Sequence, residues 1–101
     1  MASRLELQTK LEELLGSRNV YYQPPESIVM EYPAIIYNKI KPDTKHANDK
    51  VYIKTNCYEI IVISRKPDNP VISMIENLPM CEWDRHYKAD NLNHDVLTLY
   101  F

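Results

Sequence analysis

The chain has 101 residues, enough for one hydrophobic core and too few for a second, so a single domain over residues 1–101 is expected. Its formal net charge is −2 with both signs interspersed, which removes any global electrostatic reason to expect nucleic acid or an anionic membrane as partner. The longest unbroken aliphatic run, Ile60-Ile61-Val62-Ile63, is far short of a membrane span, and the charges in Met1-Ala2-Ser3-Arg4-Leu5-Glu6 leave no apolar signal core, so a soluble cytoplasmic protein is expected. In such a reducing compartment Cys57 and Cys81 form no disulfide framework and read as small hydrophobes in or near the core.

Ser3 and Glu6 have the spacing of a capping box, which starts a helix. Leu7, Leu11, Leu14 and Leu15 then line one face while Glu6, Lys10, Glu12 and Glu13 cover the other, and Gly16 is placed to end the helix. Val20-Tyr21-Tyr22-Gln23 reads as a short strand stopped by Pro24-Pro25, which cannot donate ladder hydrogen bonds. Glu26 to Glu31 is a connector. A second strand, Ala34 to Ile40, follows Pro33. The next strand candidate is Val51 to Ser64, in which Tyr58, Ile60 and Val62 alternate with Cys57, Glu59, Ile61 and Ile63.

After the turn at Lys66-Pro67-Asp68-Asn69, Asn69-Pro70 supplies a cap and a first helical proline. The second helix should run to about Leu78, burying Val71, Ile75 and Leu78 or Ile72 and Ile75, with Pro79 as its stop. Cys81 to Lys88 alternates as a strand, with Cys81, Trp83, Arg85 and Tyr87 on one side. Asp90-Asn91 form a turn, and Val96 to Phe101 returns as the last strand. These elements imply an α+β two-layer sandwich, a mostly antiparallel sheet with two helices on one face. The other face must be solvated or covered by neighbours, and Tyr37, Tyr58 and Tyr87 are the tyrosines expected to help cover it.

Between the second and third strands lies Lys41-Pro42-Asp43-Thr44-Lys45-His46-Ala47-Asn48-Asp49-Lys50. Hairpins usually need only about two to five loop residues, so this stretch should form a long projecting β-hairpin arm. Lys39 to Lys54 holds five lysines against two aspartates, a local surplus of +3 on an acidic chain. Contact with an acidic protein surface and a solvated tip whose lysines discourage edge aggregation are about equally supported, with protein contact ahead of nucleic acid. The candidate contact residues on the arm are Lys41, Asp43, Lys45, His46, Asp49, Lys50 and Tyr52.

Catalytic and metal chemistry find little support. His46, His86 and His94 and the two cysteines show no close-spaced ligand pair, so no metal site and no cofactor is expected. In a regular strand Asp84 and His86 share a face, but a cross-strand salt bridge explains them better than a catalytic dyad. Pro42-Asp43-Thr44-Lys45 resembles part of a Mg²⁺-dependent nuclease signature, yet such sites draw their carboxylates from separate core strands, and a solvated turn accounts for it more simply. No catalytic residue is assigned, and the chain is expected not to be an enzyme.

In element order, in Tyr32-Pro33-Ala34-Ile35-Ile36-Tyr37, and most specifically in Asp84-Arg85-His86-Tyr87-Lys88-Ala89-Asp90-Asn91-Leu92-Asn93-His94-Asp95, the chain resembles the tail terminator, or tail completion, proteins of long-tailed bacteriophages and prophages. The resemblance implies a homohexameric ring on the finished tail tube that stops polymerisation and presents a surface to the head neck. It implies no cofactor and no turnover. Its partners would be further copies of itself, the tail tube protein and a head connector or neck protein, without a membrane and without specific nucleic-acid binding, although DNA would pass through the ring. The place would be the tail–neck junction of the virion, after assembly in the host cytoplasm. Carried onto this chain, the arm would reach a neighbouring subunit or the tube, and the tyrosine-bearing sheet face would help close the ring. A head–tail joining ring is an alternative of the same class; a small nuclease and a nucleic-acid-binding module are alternatives from others.

Overall fold

The computed structural model describes residues 4–25, 29–40 and 56–101. Helix α1 spans Arg4–Leu15 and turns Leu7 and Leu11 fully inward, while Leu14 and Leu15 pack at the margin of the core. Gly16 ends the helix at φ 78°, with its amide bonded to the Glu12 carbonyl at 2.9 Å. A left-handed φ brings Cβ close to the next carbonyl, which is why glycine suits this position. Ser3, the expected cap, lies outside the described residues.

Strands β1 (Val20–Tyr22), β2 (Ala34–Ile40), β3 (Cys57–Ser64), β4 (Cys81–Ala89) and β5 (Leu92–Tyr100) form an open sheet in the order β1-β2-β3-β5-β4. β1 runs parallel to β2, and the remaining pairs are antiparallel. Helix α2, Pro70–Glu76, connects β3 to β4; the Asn69 side chain accepts from the Val71 amide at 3.0 Å. The regular helix ends two residues short of Leu78, whose amide still bonds the Ile75 carbonyl at 3.0 Å. Among the described residues, these two helices cover the same face of the sheet. The fold is therefore α+β in two layers, as the residue pattern implied. The expected arm, and with it the first half of the long strand candidate, lies outside the described residues.

The core is built by strand parity. Residues directly opposite in adjacent strands point to the same face, so the pairs Ile35–Val62, Tyr37–Ile60, Ile60–Leu97 and Tyr58–Leu99 define one side. Leu7, Leu11, Val71 and Ile75 close over that side. Here the tyrosine expectation fails. Tyr37 and Tyr58 are 0% and 2% exposed inside the chain's own core, because period-two alternation ties them to Ile35, Ile60 and Val62. They form a row of tilted and edge-on ring contacts with Tyr22, with ring centroids 4.9 Å apart for Tyr22–Tyr37 and 5.9 Å for Tyr37–Tyr58. Neither is available to a neighbouring subunit.

Two departures reshape the last hairpin. β5 begins at Leu92 rather than Val96, because Asp90 and Asn91 take φ of 53° and 62° and make a two-residue turn that pairs Ala89 directly with Leu92. Both central residues at positive φ match a type I′ turn, whose twist suits a hairpin. In β4, Trp83 pairs with Leu97 and Arg85 with Val96, so Asp84 is bulged out. A bulge shifts alternation by one residue. Cys81, Trp83, His86 and Lys88 consequently share the helix side, whereas Arg85 and Tyr87 point to the other, which separates two pairs expected on a single face. Tyr87 therefore lies on the opposite sheet face from Tyr37 and Tyr58, 39% exposed and stacked on His94 at 4.7 Å.

Candidate functional site

β4 is an outer strand, and after Cys81 every residue in it is exposed, whereas its partner β5 has six of nine residues buried and none exposed. Its charged side chains and its bulge are the devices that keep an outer strand from pairing with another chain. Its helix-side residues nevertheless build a cleft with the end of β3 and with α2. Pro67, Asp68 and Asn69 form one wall, Ile72, Ser73 and Glu76 the next, and Trp83, His86 and Asp95 the floor, around a volume of about 390 Å³.

The cleft is held by hydrogen bonds that leave little freedom in the floor. The Trp83 indole Nε1 donates to Asp95 Oδ1 at 3.3 Å. Asn93 Nδ2 faces the carbonyls of Ser64 and Arg65 at 3.5 and 3.4 Å, and since carbonyls only accept, its Oδ1 must face the other way. That oxygen meets His86 Nε2 at 3.2 Å, so Nε2 carries the proton and donates. The cross-strand salt bridge expected of Asp84 and His86 is not formed among the described residues. Asp84 is in the bulge and pairs with the adjacent Arg85, an exposed ion pair of little energetic weight.

The charge of the cleft is one-sided. Among the described residues, Asp68, Glu76 and Asp95 line it, and neither a lysine nor an arginine does. Asp95 is 8% exposed and makes no ion pair among the described residues. A buried carboxylate without a cation is electrostatically incomplete. Among the described residues no three histidine, cysteine or carboxylate groups stand close enough to hold a metal ion. A flexible ammonium or guanidinium above the Trp83 face, within reach of the carboxylates, fits this geometry chemically.

Cys81 lies beside this region. Burial, with a smaller contribution from the Glu76 carboxylate, pushes its thiol up to about 11, and burial also raises Cys57. Both thiols are therefore protonated and weakly nucleophilic near neutral pH. The two behave as the hydrophobes expected from the sequence, Cys57 buried and Cys81 packed against the core.

Of the residues singled out from sequence, Lys41, Asp43, Lys45, His46, Asp49, Lys50 and Tyr52 all lie outside the described residues. Tyr37 and Tyr58 belong to the core, and only Tyr87 reaches the surface. The cleft itself escapes a sequence reading. Its floor depends on the bulge at Asp84 and on polar Asn93 and Asp95 being strand residues, although the single tryptophan in an exposed, charge-rich strand is a usable pointer. Comparisons of the chain with protein-family models, with curated proteins and with solved structures find no match.

Proposed function

We propose that the chain is a structural assembly protein that forms a ring on the end of a bacteriophage tail tube, terminates tube growth and presents the surface that joins the head neck. The observation that carries this reading is the oversized connection between two adjacent strands. Ile40 and Cys57 are directly paired neighbours in β2 and β3, so a turn of about two residues could join them, yet the 16 residues 41–56 do so. This connection carries most of the lysine surplus on a chain of net charge −2. A long polar excursion unnecessary for the fold itself suits contact with another subunit or with the tube.

Support also comes from the order of helices and strands, the feature on which the resemblance to tail terminators rests. The protein would act by docking, with no turnover. A ring of this kind uses heterologous contacts, one patch of each copy on a different patch of the next, and closes only at the right rotation. The test is oligomeric mass in solution with and without a tail tube protein, together with electron microscopy of the tubes. Rings that cap tubes and hold their length constant are expected. A monomer that fails to bind tubes under every condition overturns the proposal, and rings that engage only the head connector reassign it to head–tail joining.

A further inference from the structure

We infer that the cleft floored by Trp83, His86 and Asp95 is a binding site for a linear organic cation with an ammonium towards each end, a ligand of the polyamine class. The inference goes beyond the ring-forming reading and does not depend on it. It stands first on what the floor leaves unsatisfied. Asp95 is 8% exposed, and its Oδ1 accepts from Trp83 Nε1. Among the described residues no side-chain oxygen is both sealed from solvent and without a partner, so Oδ2, to which none of them donates, opens on the cleft that Asp95 lines. His86 spends its Nε2 proton on Asn93 Oδ1, which leaves Nδ1 as a lone pair. Both side-chain N–H donors of the floor are thus used internally, and what remains there are acceptors. A ligand that completes them brings N–H donors, and beside a buried carboxylate it brings positive charge.

The placing of the other two carboxylates gives the ligand its length. Asp68 precedes the Asn69 cap and Glu76 is the last residue of α2, so the helix, at about 1.5 Å per residue, sets them roughly 10 Å apart along the cleft. Strand register puts Asp95 between them. Asn93, at the Asp68 end, bonds the carbonyls of Ser64 and Arg65, while Glu76 stands near Cys81, which pairs with Leu99; Asp95 lies between Asn93 and Leu99 on β5. Negative charge is therefore spread along a line, and a chain with an ammonium towards each end matches it better than one compact cation. Ile72 and the partly exposed Trp83 give the methylenes an apolar wall, and an indole ring also attracts an ammonium. The volume of about 390 Å³ falls within the roughly 300–1,000 Å³ of small-molecule sites.

Trp83 is the chain's only tryptophan, so its fluorescence reports on this cleft. The experiment titrates the full chain with spermidine as the probe and follows Trp83 emission, with thermal unfolding measured in parallel. A saturable change that weakens with salt is expected, together with a Tm that rises with spermidine concentration. Butylamine, with one ammonium, should bind about tenfold more weakly, and Mg²⁺ at matched ionic strength should not reproduce the change. Asp68→Asn/Glu76→Gln removes both outer charges at exposed positions, and asparagine tolerates the φ of 58° at residue 68. This variant should lose about tenfold in spermidine affinity with its Tm unchanged when no amine is present. Asp95→Asn, which keeps an acceptor for Trp83 Nε1, should also bind spermidine more weakly. Glu82→Gln, exposed on the other sheet face, should bind as the wild type does.

No saturable emission change, equal affinity for butylamine, a response reproduced by Mg²⁺, or unaltered spermidine affinity in Asp68→Asn/Glu76→Gln each overturns the inference. So does a response that arises only in Lys41→Gln/Lys45→Gln/Lys50→Gln, which would assign the cleft to the chain's own lysines. The two proposals fail separately, because none of these outcomes bears on ring formation or tube capping.

Discussion

Replacing Tyr37 with phenylalanine keeps the ring in the core and removes one hydroxyl, which isolates what that oxygen contributes. The hydroxyl donates to Gln8 Oε1 at 2.5 Å and accepts from Arg4 Nη1 at 3.3 Å. Gln8 in turn donates to Glu12 Oε2 and to the Val20 carbonyl, both at 3.0 Å, so the oxygen ties α1 to β1 and β2. Arg4 keeps a second anchor over the Tyr22 ring at 4.4 Å and should stay in place. The loss is then one hydrogen bond plus a partly buried, unpartnered Gln8 carbonyl, together about 1–2 kcal/mol. For a domain of this size each kcal/mol shifts Tm by about 4–8 °C, so a fall of roughly 5–15 °C is expected by calorimetry or circular dichroism. Combining it with Gln8→Ala should be sub-additive by about 0.5–1.5 kcal/mol, because both changes remove the same bond. Tyr37→Ala, which also empties the ring site, should cost about 3–5 kcal/mol. If Tyr37→Phe left Tm within about 1 °C of wild type but weakened self-association, the core assignment would be wrong and the interface role correct.

The other expectations concern local geometry and protonation. Asn69→Ala removes the side-chain cap of a seven-residue helix too short to sustain itself, and should lower the urea-unfolding free energy by about 1 kcal/mol with an unchanged slope; an unmoved midpoint would show that the cap is not formed in solution. Gly16→Ala meets no atom within 4 Å of the new Cβ, so its cost is the φ of 78° alone, about 1 kcal/mol, and a neutral or stabilising result would contradict that conformation. Burial raises Cys81 from 9.0 to about 11, Cys57 above 9.0 and Tyr37 and Tyr58 above 10.0. Below pH 9 these groups are neutral in both states. Above it the unfolded chain ionises first, so urea midpoints should decline as pH rises from 9 through 11, and a flat profile there would refute the burial of these groups.

Much of the local structure was legible because it depends on short-range chemistry. The leucine spacing and Gly16 marked α1, Asn69-Pro70 marked the start of α2, and β2 was expected over Ala34 to Ile40, where it lies. The end of α2 was less legible, since Asn77 and Leu78 continue the turn through end bonds rather than the regular ladder. The start of β5 was illegible for another reason. Asn93, His94 and Asp95 have poor strand propensity and become strand only because Asn93 and Asp95 find partners in Ser64, Arg65, His86 and Trp83. Local preference yields there to tertiary hydrogen bonding.

By itself the sequence determined the element types, the helix-covered α+β arrangement and the oversized, lysine-bearing connection, because periodicity, caps and composition are properties of neighbours along the chain. It could not determine which side of the sheet the tyrosines occupy. Tyr37 and Tyr58 are as suitable for an interface as for a core until strand pairing places them opposite Ile60 and Leu99 beneath α1. Nor could it reveal that one bulged residue, Asp84, sends Tyr87 to the far face and turns His86 inward with Trp83. Only the tertiary structure decided these points, since the facing of a strand residue depends on register against a distant partner, and a single inserted residue reverses it.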